Sequence, residues 1–201
     1  MAKVTSEISM SLDGFITGPN VGVGNGMGDD GDRLHDWRFD AKTETDAAIV
    51  DEVYESTGAV LIGKRMFDVG FEPWGDPPPF GMPVSVVTHE EREPLPMQGG
   101  TTYTFVADGI EAALELARAA AGDKNVGIWG GANIIREYLR APPPVKRTTW
   151  PDGFDWQLAR HSISQVSCSG RSAWPPRGWL GMSGSGWALV VASGSWLTPA
   201  R

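Results

Sequence analysis

The stretch from Val126 to Leu139 constrains the fold more than any other part of the chain. The apolar run Val126–Trp129 is followed at once by Gly130 and Gly131, and then by a segment with a helix-like sequence. Glycine lets the backbone approach a ligand closely, and the first turn of a helix offers unpaired N–H groups at the positive end of the helix dipole. This strand–turn–helix unit therefore predicts either an anion-binding turn or a tight turn in which glycine only relieves packing.

Predicted strands and helices alternate along the first 140 residues. Helices are predicted over 43–56, where Thr43 and Asp46 form a capping-box start, and between Asp108 and Gly122. This alternation indicates an α/β protein with a mostly parallel sheet. The predicted strands are Val4–Ser11, Ala59–Ile62, Val84–Thr88, Thr101–Val106 and Val126–Trp129.

The segment from Thr17 to Arg33 contains six glycines and is predicted to be a loop. Its run Gly22-Val23-Gly24-Asn25-Gly26 is not a dinucleotide-binding fingerprint, because it does not open a helix within a strand–helix–strand unit. Loops of this length without structure of their own are often functional. Two hypotheses stay open for it, a mobile surface loop and a lid that covers the substrate.

Composition excludes several functional classes. The net charge of −8 argues against nucleic acid or an anionic membrane as the main partner, which leaves a small-molecule substrate. The single cysteine, Cys168, excludes an internal disulfide and a cysteine-rich zinc site, and no metal site is predicted. Because no apolar span of about 18 residues is present, we expect a cytoplasmic protein that is neither exported nor membrane-spanning.

Three predicted strand ends carry groups suited to an anionic nucleotide. Ligands of open α/β sheets bind in the crevice outside the carboxyl ends of the strands. At the first strand end, Lys64 and Arg65 place positive charge at the start of the predicted helix, which is unfavourable for the helix dipole. Residues that oppose a local preference in this way support a binding role. The groups at the three ends are Gly63, Lys64 and Arg65, then Thr88 and His89, and then Gly130, Gly131 and Ala132.

Four segments occur in a characteristic order and spacing over about residues 3–140, namely Ser11–Pro19, Gly63–Phe67, Val86–His89 and Gly130–Asn133. Together they resemble the RibD C-terminal domain family, a branch of the dihydrofolate-reductase-like fold. The resemblance implies a three-layer α/β/α domain with a mostly parallel central sheet. It also implies an NADPH-dependent reductase of a small heterocycle, similar to 5-amino-6-(5-phosphoribosylamino)uracil reductase of riboflavin biosynthesis. The alternatives are a dihydrofolate- or pteridine-type reductase and a non-catalytic nucleotide-binding module.

The same resemblance implies roles for the residues at the three strand ends. NADPH would lie along the carboxyl ends of the strands, and its nicotinamide would supply the hydride. Phosphates would be held by Gly63, Lys64 and Arg65, the adenosine 2′-phosphate would lie near Thr88 and His89, and the pyrophosphate would be cradled by Gly130, Gly131 and Ala132.

The loop after the first strand is implied to lie beside the nicotinamide and the substrate through Asp13, Gly14 and Phe15. Asp13 is our candidate for the catalytic proton donor, and an aspartate at a strand end is equally often a plain turn residue. In the riboflavin-pathway reductases, a lysine four positions before the Ser-Leu-Asp-Gly motif helps to bind the substrate, and here that position is Glu7. A carboxylate there would repel a phosphorylated substrate.

The chain changes character near Arg140, so we divide it into a reductase domain over 1–140 and an atypical tail over 141–201. Pro142–Pro144 break the last helix, and the tail is rich in Ser, Gly, Trp and Pro without clear periodicity, except for a strand pattern over Trp187–Val191. We favour a tail read in a shifted frame over a divergent extension that packs its tryptophans on the sheet. A homodimer is expected only if the C-terminal strands are intact.

Overall fold

The computed structural model describes residues 2–11, 13–40, 43–141 and 187–192, the last of these as backbone only. Both interpretations of the tail therefore lie outside the described residues, apart from the predicted strand near 187. Within the part of the chain that is described, no helix has the length and apolar character needed to cross a bilayer.

The described residues form seven strands and five α-helices, with 3-10 turns at Gly31–His35 and Gln98–Gly100. In chain order the elements are β1 (Val4–Ser11), α1 (Asp36–Phe39), α2 (Glu44–Ser56), β2 (Thr57–Gly63), α3 (Lys64–Trp74), β3 (Val84–Val87), β4 (Leu95–Pro96), β5 (Thr102–Val106), α4 (Gly109–Ala121), β6 (Asn125–Gly130), α5 (Ala132–Arg140) and β7 (Trp187–Ala192).

The strands form one sheet in the order β4-β5-β3-β2-β6-β1-β7. The five inner strands pair in parallel, and the two edge strands β4 and β7 pair antiparallel with their neighbours. Helices α4 and α5 cover one face, and α2 and α3 cover the other. The expected three-layer, mostly parallel architecture of the dihydrofolate-reductase-like fold is confirmed.

Alternation along the central strand β2 divides the core into two clusters, because successive side chains of a strand point to opposite faces. Leu61 packs with Ala113 and Leu114 of α4 on one face. Val60 and Ile62 pack with the aromatic cluster of the other face. All three β2 side chains are 0% exposed, so the middle of the sheet is rigidly held and can position groups at its ends.

Two helix starts differ in how they are capped. At α2 the predicted capping box is confirmed, since the Thr43 hydroxyl accepts from the Asp46 N–H and the Asp46 carboxylate accepts from the Thr43 N–H. Asp108 precedes α4 as predicted, but its side chain makes no capping bond. The sequence pattern therefore located both helix starts and identified the capping contact at one of them.

The strand predicted near residue 187 is confirmed as β7. It pairs antiparallel with β1 from Ser6 opposite Ala192 to Ser11 opposite Trp187. Since β1 would otherwise be the edge of the sheet, β7 covers its unpaired backbone groups.

Candidate functional site

A cleft of about 1510 Å³ opens at the carboxyl ends of the parallel strands. Its size exceeds that of a typical small-ligand pocket, which suits a dinucleotide together with a second molecule. It brings together seven of the residues singled out from the sequence, which are Gly63, Lys64, Arg65, Thr88, His89, Gly131 and Ala132. Four others do not line it, and these are Asp13, Gly14, Phe15 and Gly130.

Two helix N-termini face this cleft. Helix α3 starts after Gly63 and α5 starts after Gly131, and neither glycine can supply a side chain to cap the first turn. A Cβ built on Gly131 would meet nothing within 4 Å, so this position borders open space. Exposed N–H groups and the positive helix dipole together make such starts suitable for phosphate oxygens.

Gly130 shapes the turn between β6 and α5. It is buried, its φ is 126°, and its peptide bond to Gly131 is cis. Side chains rarely adopt this φ, and a Cβ at this position would approach the Met66 sulfur to 3.2 Å. Gly130 therefore determines the backbone conformation of the turn without lining the cleft. Gly131 is the glycine that lines the cleft.

The two cations at the start of α3 differ in their surroundings. Lys64 pairs with Asp68 at 2.7 Å and with Glu90 at 3.7 Å, and the hydrogen bond to Asp68 raises the pKa of Lys64. Arg65 is exposed and makes no ion pair or hydrogen bond with the described residues. Arg65 is thus the cation more readily available to an anionic ligand.

Thr88 and His89 directly follow β3 and lie in different environments. Thr88 is 4% exposed, and its hydroxyl accepts a hydrogen bond of 3.1 Å from the N–H of Glu90. It therefore fixes the turn that carries His89, which is exposed at the rim of the cleft. Arg92 stacks over the Phe105 ring at 4.6 Å and does not line the cleft.

The Asp13 segment is a tight turn held by Ser11. The Ser11 hydroxyl donates to the Asp13 carboxylate at 2.6 Å and accepts from the N–H of Phe15 at 2.9 Å. Asp13, Gly14 and Phe15 are all exposed outside the cleft. This geometry fits the turn-residue alternative for Asp13.

The glycine-rich loop forms one wall of the cleft. It is closed by its own backbone, with Gly18 N–H donating to Met27 O at 2.7 Å and Asp29 N–H donating to Pro19 O at 2.8 Å. Gly26 lies so close to α3 that a Cβ would stand 3.1 Å from the carbonyl oxygen of Val69. The loop is thus a compact element packed on α3 with its inner side towards the cleft.

The aromatic end of the cleft is lined by the rings of Trp129, Phe80 and Tyr54. Trp129 stacks on Phe80 with 5.9 Å between ring centroids, and Tyr54 meets Trp129 edge-on. The Arg38 guanidinium lies 5.1 Å from the Tyr54 ring centre and donates to the Tyr54 hydroxyl at 2.6 Å. Flat apolar walls of this kind suit a planar ring.

Glu7 lines the same end of the cleft from β1. Burial raises the pKa of its carboxyl to about 7, the Arg38 charge opposes this rise, and Glu52 adds to it. In the sequence Glu7 stands out as a departure from a lysine, and its place as a charged residue in the middle of a strand is a second signal of a functional position. Arg38 and Tyr54 carried no such signal, since nothing in the sequence places α1 and α2 over this end of the sheet.

No group of three or more His, Cys, Asp or Glu side chains is arranged to hold a metal ion, as far as the described residues go. The site thus combines helix N-termini and cations with an aromatic end whose lining also includes acidic side chains.

Comparison with known proteins gives one family. The model of the RibD C-terminal domain family matches residues 2–142. A solved structure of a Shewanella sp. PV-4 protein, whose name provisionally assigns it to riboflavin biosynthesis, is 20% identical with a TM-score of 0.47, and the match covers 69% of this chain and 70% of that one. No curated protein matches the chain.

Proposed function

Because the chain belongs to the RibD C-terminal domain family, whose members are reductases, we propose that it is an NADPH-dependent reductase of a small heterocycle. The observation that carries this proposal is the cleft, which unites three strand ends with anion-binding groups and an aromatic end large enough for a second ring. Bound NADPH supplies the hydride, and the chain supplies binding, orientation and exclusion of water.

The residues at the phosphate-binding end fit this cofactor. Phosphate oxygens would be held by the N–H groups that open α3 and α5, and by the side chains of Lys64 and Arg65. The open space in front of Gly131 allows the pyrophosphate to approach the backbone closely. His89 and Arg65 are the exposed groups available to the 2′-phosphate that distinguishes NADPH from NADH.

The aromatic end indicates the chemical class of the substrate. Its lining carries the carboxyl groups of Glu7, Asp32, Asp36 and Asp40, and the Arg38 charge is already engaged with the Tyr54 hydroxyl and ring. Excess negative charge disfavours a phosphate group, so the substrate is a planar, unphosphorylated heterocycle. A pterin-type ring meets this description better than a phosphoribosylaminouracil, which makes a pteridine-type reductase the favoured form of this function.

The phosphate assignment is tested by comparing NADPH affinity in two double variants of the full-length protein. Lys64→Ala with Arg65→Ala should weaken binding about a hundredfold or more, because each of the two charge-assisted contacts contributes about 1.5–3 kcal/mol. The matched control is Lys3→Ala with Lys124→Ala, which removes two exposed cations at the amino ends of β1 and β6. Equal affinity in both double variants would remove the phosphate assignment.

Turnover separates the reductase from a non-catalytic nucleotide-binding module with the same fold. The reductase oxidises NADPH when a pterin, a flavin precursor or a quinone is present. Saturable NADPH binding without oxidation by any of these acceptors would favour the module.

A further inference from the structure

The Glu7 side chain is a cleft carboxyl that the fold leaves without a partner. It makes no hydrogen bond or ion pair with any of the residues the structure describes. The hydrogen bonds of two neighbouring side chains go to residues other than Glu7. The Ser9 hydroxyl accepts from the Trp37 indole N–H at 3.1 Å, and Arg38 donates to Tyr54. The Glu7 carboxyl is therefore available to a ligand.

Strand pairing places Glu7 near the Gly130–Gly131 turn, where the pyrophosphate of the cofactor is proposed to bind. In the parallel ladder between β1 and β6, Thr5 pairs with Gly127 and Ser6 pairs with Ile128. Glu7 follows Ser6 on β1 and Trp129 follows Ile128 on β6, so both come directly after the last pair of this ladder. The Trp129 indole lies over Gly127, where a Cβ would collide with it, so the ring belongs to the face of the sheet that carries Glu7.

The groups packed around Glu7 keep its proton exchangeable near neutral pH. Burial raises the pKa to about 7, and the facing charges are Arg38 on α1, which lowers it, and Glu52 on α2, which raises it. Other ionisable side chains of the cleft lining from α1, the residues that flank it and α2 are Asp32, His35, Asp36, Asp40 and Tyr54. A general acid works best when its pKa lies near the working pH.

We propose that Glu7 is the proton donor of the reduction, an assignment that rests on the reductase function proposed above. Hydride adds to the carbon of a C=N bond in the planar substrate, and the Glu7 carboxyl passes its proton to the nitrogen of that bond. The C=N bond becomes a C–N single bond with new C–H and N–H bonds. NADPH is oxidised to NADP⁺, and the Glu7 carboxylate regains a proton from water.

The test uses 7,8-dihydropterin, an unphosphorylated planar ring with a reducible C=N bond, as the acceptor for the full-length protein. Wild type should oxidise NADPH with a kcat that falls about tenfold per pH unit above about pH 7. Glu7→Gln keeps the size of the side chain and should lower kcat by roughly 10²–10⁴-fold, with no such fall. NADPH affinity should stay within about twofold of wild type, because the phosphates bind elsewhere.

Two further variants keep the test decisive. Glu7→Asp retains an acid and should recover part of the rate together with the alkaline fall, which a merely structural role would not predict. Glu55→Gln removes an exposed carboxylate of α2 outside the cleft and should leave the rate and pH profile unchanged.

The outcomes that overturn this assignment are distinct from those that overturn the function. A Glu7→Gln protein that turns over dihydropterin at the wild-type rate, with the wild-type pH profile, would refute the role of Glu7 and leave the reductase intact. A wild-type protein that binds NADPH but never oxidises it with dihydropterin would refute the pteridine-reductase function, and the role of Glu7 with it.

Discussion

Replacing Glu7 with glutamine should make the protein more stable at neutral and alkaline pH, although it removes a native charge. Burial in the cleft raises the pKa of Glu7 from 4.5 to about 7. Between these values the unfolded chain has lost the Glu7 proton and the folded protein still holds it. Folding stability in wild type therefore falls as pH rises through this window and is constant, with respect to Glu7, above and below it.

The size of the effect follows from the two pKa values. Each pKa unit corresponds to about 1.4 kcal/mol, so a change from 4.5 to about 7 costs the folded state about 3.5 kcal/mol once the carboxyl is ionised. Because the carboxyl borders the water of the cleft, about 3.5 kcal/mol is an upper bound. Glutamine carries no charge, so the variant escapes this cost and gains its advantage only above about pH 5.

Urea unfolding of wild type, Glu7→Gln and Glu55→Gln, measured at a series of pH values from about 4.5 to 8, checks this reasoning. The difference in unfolding free energy between Glu7→Gln and wild type should grow by up to about 3 kcal/mol across the series. Glu55→Gln controls for the loss of one negative charge and should follow wild type. A constant difference between Glu7→Gln and wild type at every pH would show that Glu7 is not held in a desolvated position.

Three other substitutions test separate parts of the structure. Gly131→Ala places a methyl group in the open space before α5. NADPH affinity should therefore fall about tenfold or more, with little change in Tm. Unaltered affinity would contradict a pyrophosphate at this turn. Leu61→Ala empties a fully buried site between β2 and α4 and should cost about 2–5 kcal/mol in urea unfolding. Thr43→Ala removes the capping box of α2 and should lower the free energy of unfolding by about 1 kcal/mol. Ala48→Ser, at an exposed position of the same helix, controls for a change in helix propensity.

The fold followed from the sequence where local chemistry and the tertiary structure agree. The structure contains the predicted strand near 126, the two glycines after it and the helix that follows. The apolar run was readable because such runs must be buried, and the glycines were readable because glycine is favoured at the positive φ of Gly130. The capping box at Thr43 was readable because its contacts are local. Strand β4, only Leu95 and Pro96, was missed because two residues give no periodicity.

The end of the cleft proposed to bind phosphate could be predicted from the sequence, and the end proposed to bind the substrate could not. Lys64 and Gly131 lie at strand ends, and the parallel topology alone gathers strand ends into one cleft. Arg38, Tyr54 and Glu7 come together only through the packing of α1 and α2 over β1, which depends on contacts between distant segments. Asp13, favoured from the sequence as the proton donor, lies outside the cleft, whereas Glu7 lines the cleft from a strand.

The central claim is that the cleft holds a reduced nicotinamide dinucleotide beside Trp129. Titrating the full-length protein with NADPH, and separately with NADH, while following tryptophan fluorescence tests it most directly. The account predicts saturable quenching that is stronger with NADPH and is largely lost in Trp129→Phe, because this ring lies at the proposed nicotinamide end although the chain holds nine tryptophans. A folded protein whose fluorescence does not change with either dinucleotide, or changes equally in Trp129→Phe, would contradict the site.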